Sequence, residues 1–211
     1  MARPAAHQNA LSVAIRSLAA AHGPACLLDA SGTFLFVNEA WDRHAAENGG
    51  APRCLGSSLI GTAWLDHIRG AEVREAHAQV LERALRGGPR PKVVTQVGES
   101  NTASRAALLK TRYAPVVAHG GDVIGVAIAH EVVRERPIEE VYGLSALPPD
   151  SYRDATGRLT QCSCCRRVRD LEDPSRWDLV PALVERPAPG ETAHVLCELC
   201  TELHGPRDDA R

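Results

Sequence analysis

Four cysteines near the end of the chain constrain it more than any other feature: Cys162-Ser-Cys164-Cys165, then His194-Val-Leu-Cys197-Glu-Leu-Cys200. Two CxxC pairs offer four thiols to one tetrahedral ion, and zinc favours that donor set. With 31 residues between Cys165 and Cys197, this is a long loop closed by metal rather than a local knuckle. The spacing favours Cys162, Cys165, Cys197 and Cys200 as the ligands, because adjacent cysteines chelate one ion poorly and Cys164 is the extra thiol. His194 is either a hydrogen-bond donor to a thiolate or an alternative ligand. Four thiolates would close the site and leave no open position for activating water.

The rest of the composition sets the frame. At 211 residues, one ordinary domain plus a small module is expected. Apolar residues make up 44% and aromatics only 4%, so Ala, Val and Leu must build most of the core. A formal charge of −2 argues against a phosphate-binding surface spread over the whole molecule. No run approaches bilayer length, and the segment Leu11 to Ala21 is broken by Arg16 and leads into Pro24 rather than a cleavage site. A cytoplasmic location is expected. There, seven cysteines concentrated in CxxC pairs point to metal rather than disulfides.

Periodicity gives an α+β order. A short amphipathic helix is expected from Asn9 to Ala21, then a hairpin from Ala25–Asp29 and Thr33–Val37 around Ser31-Gly32. Asn38 is a good N-cap for the next helix. A short helical piece follows near Trp64–Ile68, and the clearest helix spans Ala71 to Arg86. Three β-prone runs come next, Lys92–Val97, Ala106–Val117 and Val123–His130, with a tight turn at Gly120-Gly121-Asp122. Residues 131–147 read as a polar, then amphipathic, connector, with a boundary at Pro148-Pro149.

The string Asp29-Ala-Ser-Gly-Thr-Phe-Leu-Phe-Val-Asn-Glu-Ala-Trp41, with Gly61-Thr-Ala-Trp-Leu65 and the last strand Val123–His130, resembles a PAS sensor domain. The resemblance implies an antiparallel sheet with flanking helices, serving sensing or dimerisation. The expected division is an N-terminal helix at 1–22, a PAS-like domain at 23–135, a connector at 136–159, a zinc module at 160–205 and a disordered tail at 206–211. His77, ten residues ahead of Gly87, is spaced similarly to the proximal histidine of haem-binding PAS oxygen sensors. It is therefore the candidate axial ligand of a haem, set against the plainer reading of a half-exposed helix residue. His67 is a weaker candidate, and Cys26 and Cys54 read as small apolar residues.

Cys162 to Asp170, Trp177 and the His194-x-x-Cys197 step resemble a small cysteine-rich module at the ends of bacterial sensor kinases, response regulators and cyclases. That resemblance implies a structural zinc whose binding supplies folding energy. Trp177, Leu179, Val180, Leu183 and Leu196 are the expected small core. Arg166, Arg167 and Arg169 read as a solvated basic face, with one guanidinium hydrogen-bonded to thiolate sulfur. Residues 162–204 hold five arginines and eight acidic residues, which fits a protein-contact surface better than a nucleic-acid one.

No phosphate-binding glycine loop, GxSxG or HExxH motif is present, so catalysis is not expected. The reading is a cytoplasmic signalling homodimer that passes its signal by contact to a kinase, response regulator or transcription regulator, without membrane. The alternatives are a haem-binding gas or redox sensor using His77, a zinc-ribbon nucleic-acid binder, and a thiol redox switch at Cys164 and the zinc thiolates.

Overall fold

The computed structural model describes residues 3–86, 91–102, 104–142, 145, 147–185 and 191–204. The chain divides into two compact units: residues 1–68, 77–96 and 110–131 form one, and residues 69–76, 97–109 and 132–211 the other. The tail expected at 206–211 lies outside the described residues.

The first unit is built on the hairpin. Strands β1 (Ala25–Asp29) and β2 (Phe34–Val37) pair antiparallel, with Cys26 opposite Val37. The Asp29 carboxylate closes the turn by accepting from the backbone N–H of Ser31 at 2.8 Å and of Thr33 at 3.0 Å. Gly32 takes the φ of 83° that the turn needs. Three more strands follow, β3 (Val94–Asn101), β4 (Arg105–Val117) and β5 (Val123–Pro137), and the sheet order is β2-β1-β5-β4-β3.

Side chains alternate across such a sheet, so each face gathers its own core. On one face Cys26, Leu28, Val126, Ile128 and Tyr113 pack with Leu59, Trp64 and the helix α4 residues Val80, Leu81 and Ala84. Helix α4 spans Ala71–Leu85. On the other face Ala25, Leu27 and Val116 pack with Leu11, Ala14, Ile15 and Leu18 of α1 (Arg3–Ala19). The remaining helices are α2 (Glu39–Glu47), α3 (Gly56–Leu59) and a 3-10 turn at Trp64–His67.

Asn38 joins several of these parts. Its Oδ1 accepts from the N–H of Trp41, capping α2, and from the N–H of Ala25, both at 3.0 Å. Its Nδ2 donates to the carbonyls of Leu18, Ala21 and Gly23. These carbonyls end α1, so one buried amide fixes the exit of α1, the start of β1 and the start of α2.

Two expectations shift. Helix α1 begins at Arg3 rather than Asn9. Strand β5 continues through 131–137, where a polar connector was expected. Its side chains there are exposed, Val132 and Val133 more than half so, which hides the strand from a burial pattern. Pairing still satisfies its backbone: β5 neighbours β4, and the Ile138 N–H donates to the Ser104 carbonyl at 3.0 Å.

The second unit contains a second, four-stranded sheet. Strands β6 (Leu159–Cys162), β7 (Val168–Arg169), β8 (Trp177–Asp178) and β9 (Thr192–Val195) run in the order β8-β7-β6-β9. β6 pairs antiparallel with β7 and parallel with β9, placing Cys162 opposite Val195. Helices α5 (Ile138–Val141), α6 (Pro181–Glu185) and α7 (Glu198–His204) complete it. Tyr152, Leu159, Val168, Val180 and Leu183 form its core. Of the residues expected there, Leu179 instead joins Ala106 and Ile138, while Trp177 and Leu196 are half-buried against the cysteines. No helix among the described residues is long and apolar enough to cross a membrane.

Candidate metal centre and the sensor-domain interior

The end of β6 and the start of α7 bring the two CxxC pairs together. The Sγ atoms of Cys162, Cys165, Cys197 and Cys200 all lie within 4.8 Å of one another, and all four residues are buried. Cys165 and Cys197 sulfurs stand 3.7 Å apart. Four sulfurs at ~2.3 Å from one zinc would be separated by about 3.8 Å at the edges of the tetrahedron. The donor set and its spacing therefore fit the ion.

Electrostatics makes the same point. Hydrogen bonds from Cys164, Cys165, Cys197 and Cys200 favour ionisation of Cys162, which in turn pushes the thiols of Cys165 and Cys200 strongly up. Four thiols this close cannot all ionise beside one another unless a cation compensates them. A divalent ion would take all four as thiolates.

The surroundings are matched to negative sulfur. Arg167 donates from Nε to Cys165 Sγ at 3.2 Å and from a terminal nitrogen to Cys197 Sγ at 3.7 Å. The Cys197 N–H donates to Cys162 Sγ at 3.4 Å. Arg166, at φ 64°, turns the chain after the first pair. Arg167 makes the arginine–sulfur contact expected from the basic stretch, but Arg166, Arg167 and Arg169 are half-buried rather than a solvated face.

His194 hydrogen-bonds to no sulfur among the described residues. It sits in β9, where burial and then Arg69 and Arg166 push its imidazole down. Its carbonyl lies so close to Gly70 that a Cβ there would collide. Cys164 is half-buried against the four cysteines but outside the close set. Trp177 packs on the cluster, with Arg169 stacked 4.9 Å above its ring.

A connection to the strand ends was not visible in sequence. Asn101, at the end of β3, donates to the Cys165 carbonyl at 2.8 Å across 64 residues. Glu99 lies 3.9 Å from Arg167, whose guanidinium also stands 5.4 Å over the ring of Tyr142. One arginine thus contacts two cysteine sulfurs, a strand carboxylate and a tyrosine.

A family model for the PAS fold matches residues 18–137, more than half of the 211 residues. The chain belongs to the PAS family. Its PAS domain is similar to that of Bordetella pertussis BvgS, at 16% identity over 61% of this chain and 89% of the other, TM-score 0.46. The Rhodobacter sphaeroides LOV protein is similar at 12% identity over 60% and 68%, TM-score 0.43. Drosophila melanogaster Cycle PAS-B, with bound ethylene glycol, is similar at 17% identity over 52% and 98%, TM-score 0.37. No curated protein matches the chain.

Inside the PAS domain, His77 is half-buried on α4 with its ring edge-on to Trp64, centroids 5.3 Å apart. Trp64 in turn contacts Tyr113 at 6.1 Å, and both are buried with Val80, Leu81 and Ala84. His77 thus packs against a tryptophan of the apolar core. His67 stands 2.7 Å from the Thr62 hydroxyl. Cys26 is fully buried, which pushes its thiol far up, and Cys54 is exposed.

The polar residue that sequence reading passed over is His130. Its Nδ1 lies 2.9 Å from the Thr111 hydroxyl and its ring 6.1 Å from Trp41. Burial, and then His44, lowers its pKa to about 4.

Proposed function

We propose that this protein is a non-catalytic bacterial signalling protein, in which a PAS sensor and dimerisation domain is coupled to a small module that folds around structural zinc and contacts a partner. The observation that carries the reading is the buried set of four cysteine sulfurs within 4.8 Å, in a chain that belongs to the PAS family. Cys162, Cys165, Cys197 and Cys200 would hold the ion. Bound there, zinc supplies folding energy to a module with a small apolar core and leaves no coordination position for substrate.

The chain's own residues would then do the positioning. Arg167 offsets part of the negative charge that four thiolates leave on the site. Asn101 and Glu99 tie that arginine and the Cys165 backbone to the end of β3, so a change in the strand ends reaches the module through these bonds. Leu171 and Leu199, both exposed on the module, supply apolar contact area, and the acidic balance of residues 162–204 favours a protein partner over nucleic acid. The partner expected is a kinase, response regulator or transcription regulator.

The test is recovery of cross-linked partners from expressing cells, comparing the wild-type chain with a Leu171→Glu/Leu199→Glu variant of unchanged metal content. Recovery of a signalling protein by the wild type alone supports the reading. Equal recovery by both, or none, counts against it.

A further inference from the structure

A cavity of about 220 Å³ opens in the second unit, lined by ten residues of β3, β4, β5 and α5 and the residue that follows α5. Drug-sized pockets run to roughly 300–1,000 Å³, so this one suits a smaller molecule. Its apolar lining is Ala106, Ala107, Leu108 and Val141, and the rest is polar or charged.

The lining carries charges of both signs, Arg134 and Arg136 against Glu99 and Glu140. Arg134 and Arg136 both line the cavity. Being two apart on β5, their side chains leave the same face of the strand about 7 Å apart. Among the described residues neither forms an ion pair. Glu140, also lining the cavity, is likewise unpaired among them. Asn101 is 5% exposed. Its Nδ2 is used on the Cys165 carbonyl, while its Oδ1 is buried with no hydrogen-bond partner. A buried acceptor left unsatisfied costs free energy that a donor would recover. Glu99 likewise presents a buried Oε2 with no hydrogen-bond partner, 3.9 Å from Arg167.

We propose that this cavity binds a small zwitterion of the α-amino-acid class, its carboxylate on Arg134 and Arg136 and its ammonium toward Glu140 and the Asn101 Oδ1. Two guanidiniums can fork onto one carboxylate, and the unpaired Glu140 carboxylate together with the unpartnered Glu99 Oε2 and Asn101 Oδ1 asks for N–H donors. The apolar lining offers a short side chain a dry surface. The inference stands apart from the metal reading, since none of these contacts involves a thiolate.

Isothermal titration calorimetry on the zinc-loaded full chain tests it, with L-alanine, L-serine, L-glutamate and L-leucine as ligands. Acetate, ethylamine and succinate serve as one-ended and doubly anionic controls. At least one amino acid should bind with Kd of about 1 mM or tighter, and the controls should bind about tenfold more weakly, each lacking one charged contact. Arg134→Ala/Arg136→Ala, at exposed positions, should weaken amino-acid binding about tenfold or more, and Glu140→Gln should weaken it too. No amino-acid binding at about 10 mM, equal binding by the double variant, or tighter binding of succinate would each overturn the proposal. Zinc content measured on the same samples keeps a failure here distinct from a failure of the metal site.

Discussion

Replacing Arg167 with methionine isolates the charge that Arg167 brings to the thiolates. The methionine keeps an apolar stem beside Tyr142 and deletes the guanidinium 3.2 Å from Cys165 Sγ and 3.7 Å from Cys197 Sγ. At a mean separation near 3.5 Å and an effective dielectric of about 20, one unit charge attracts another by about 5 kcal/mol. Desolvation of the half-buried guanidinium and its competing attraction to Glu99 offset much of that. A charge-assisted hydrogen bond then contributes about 1.5–3 kcal/mol net, which is roughly a 10–100-fold change in a dissociation constant. Loss of outer partners of metal ligands costs the same range. The assay is competition for zinc against a chelating chromophore, with metal content measured in parallel. The variant should retain one zinc per chain but release it to the competitor at about 10–100-fold lower chelator concentration. An affinity within about twofold of wild type would refute the charge argument.

Other expectations follow from the same physics. Asn38→Ala removes the α2 cap and leaves the Ala25 N–H without its side-chain acceptor, so urea denaturation should show a loss of about 2–4 kcal/mol; a loss under 1 would contradict the bridging role. His130 titrates at about 4 when folded and near 6.5 when unfolded. The unfolded chain therefore binds the proton first as pH falls, and stability should be constant above about pH 6.5 and decline toward pH 4. The full effect is about 3 kcal/mol, and His130→Leu should flatten it in denaturation curves taken across that range. Cys164→Ser should leave zinc content unchanged, whereas Cys165→Ser should abolish it; equal loss in both would move Cys164 into the ligand set.

Much of the fold was legible because its signals are local. The hairpin rests on Asp29 and Gly32, α2 on the cap at Asn38, and α4 on apolar spacing, and each survives without knowledge of distant residues. The four-cysteine cluster was legible for the same reason, since CxxC spacing is a local chelating geometry. What escaped is non-local. Strand β5 past His130 is exposed on its surface and is a strand only because β4 lies beside it. The bond from Asn101 to Cys165 spans 64 residues, and no periodicity announces it. His130 was hidden among apolar strand residues because one buried polar atom in such a run looks like an interruption until Thr111 is placed beside it. The core beside the cysteine cluster was half anticipated: Val180 and Leu183 pack as expected, whereas Leu179 turns toward Ala106 and Ile138.

Four cysteines around one zinc in a closed tetrahedral site would accept cobalt in the same geometry. Cobalt substitution tests that site most directly, because tetrahedral thiolate cobalt gives intense d–d bands together with a sulfur-to-metal charge-transfer band. One cobalt per chain is expected, with the tetrahedral four-thiolate spectrum, displacement by one equivalent of zinc, and loss of the spectrum in Cys165→Ser. A folded chain that binds no cobalt, or one whose spectrum is octahedral or unchanged by Cys165→Ser, would contradict it.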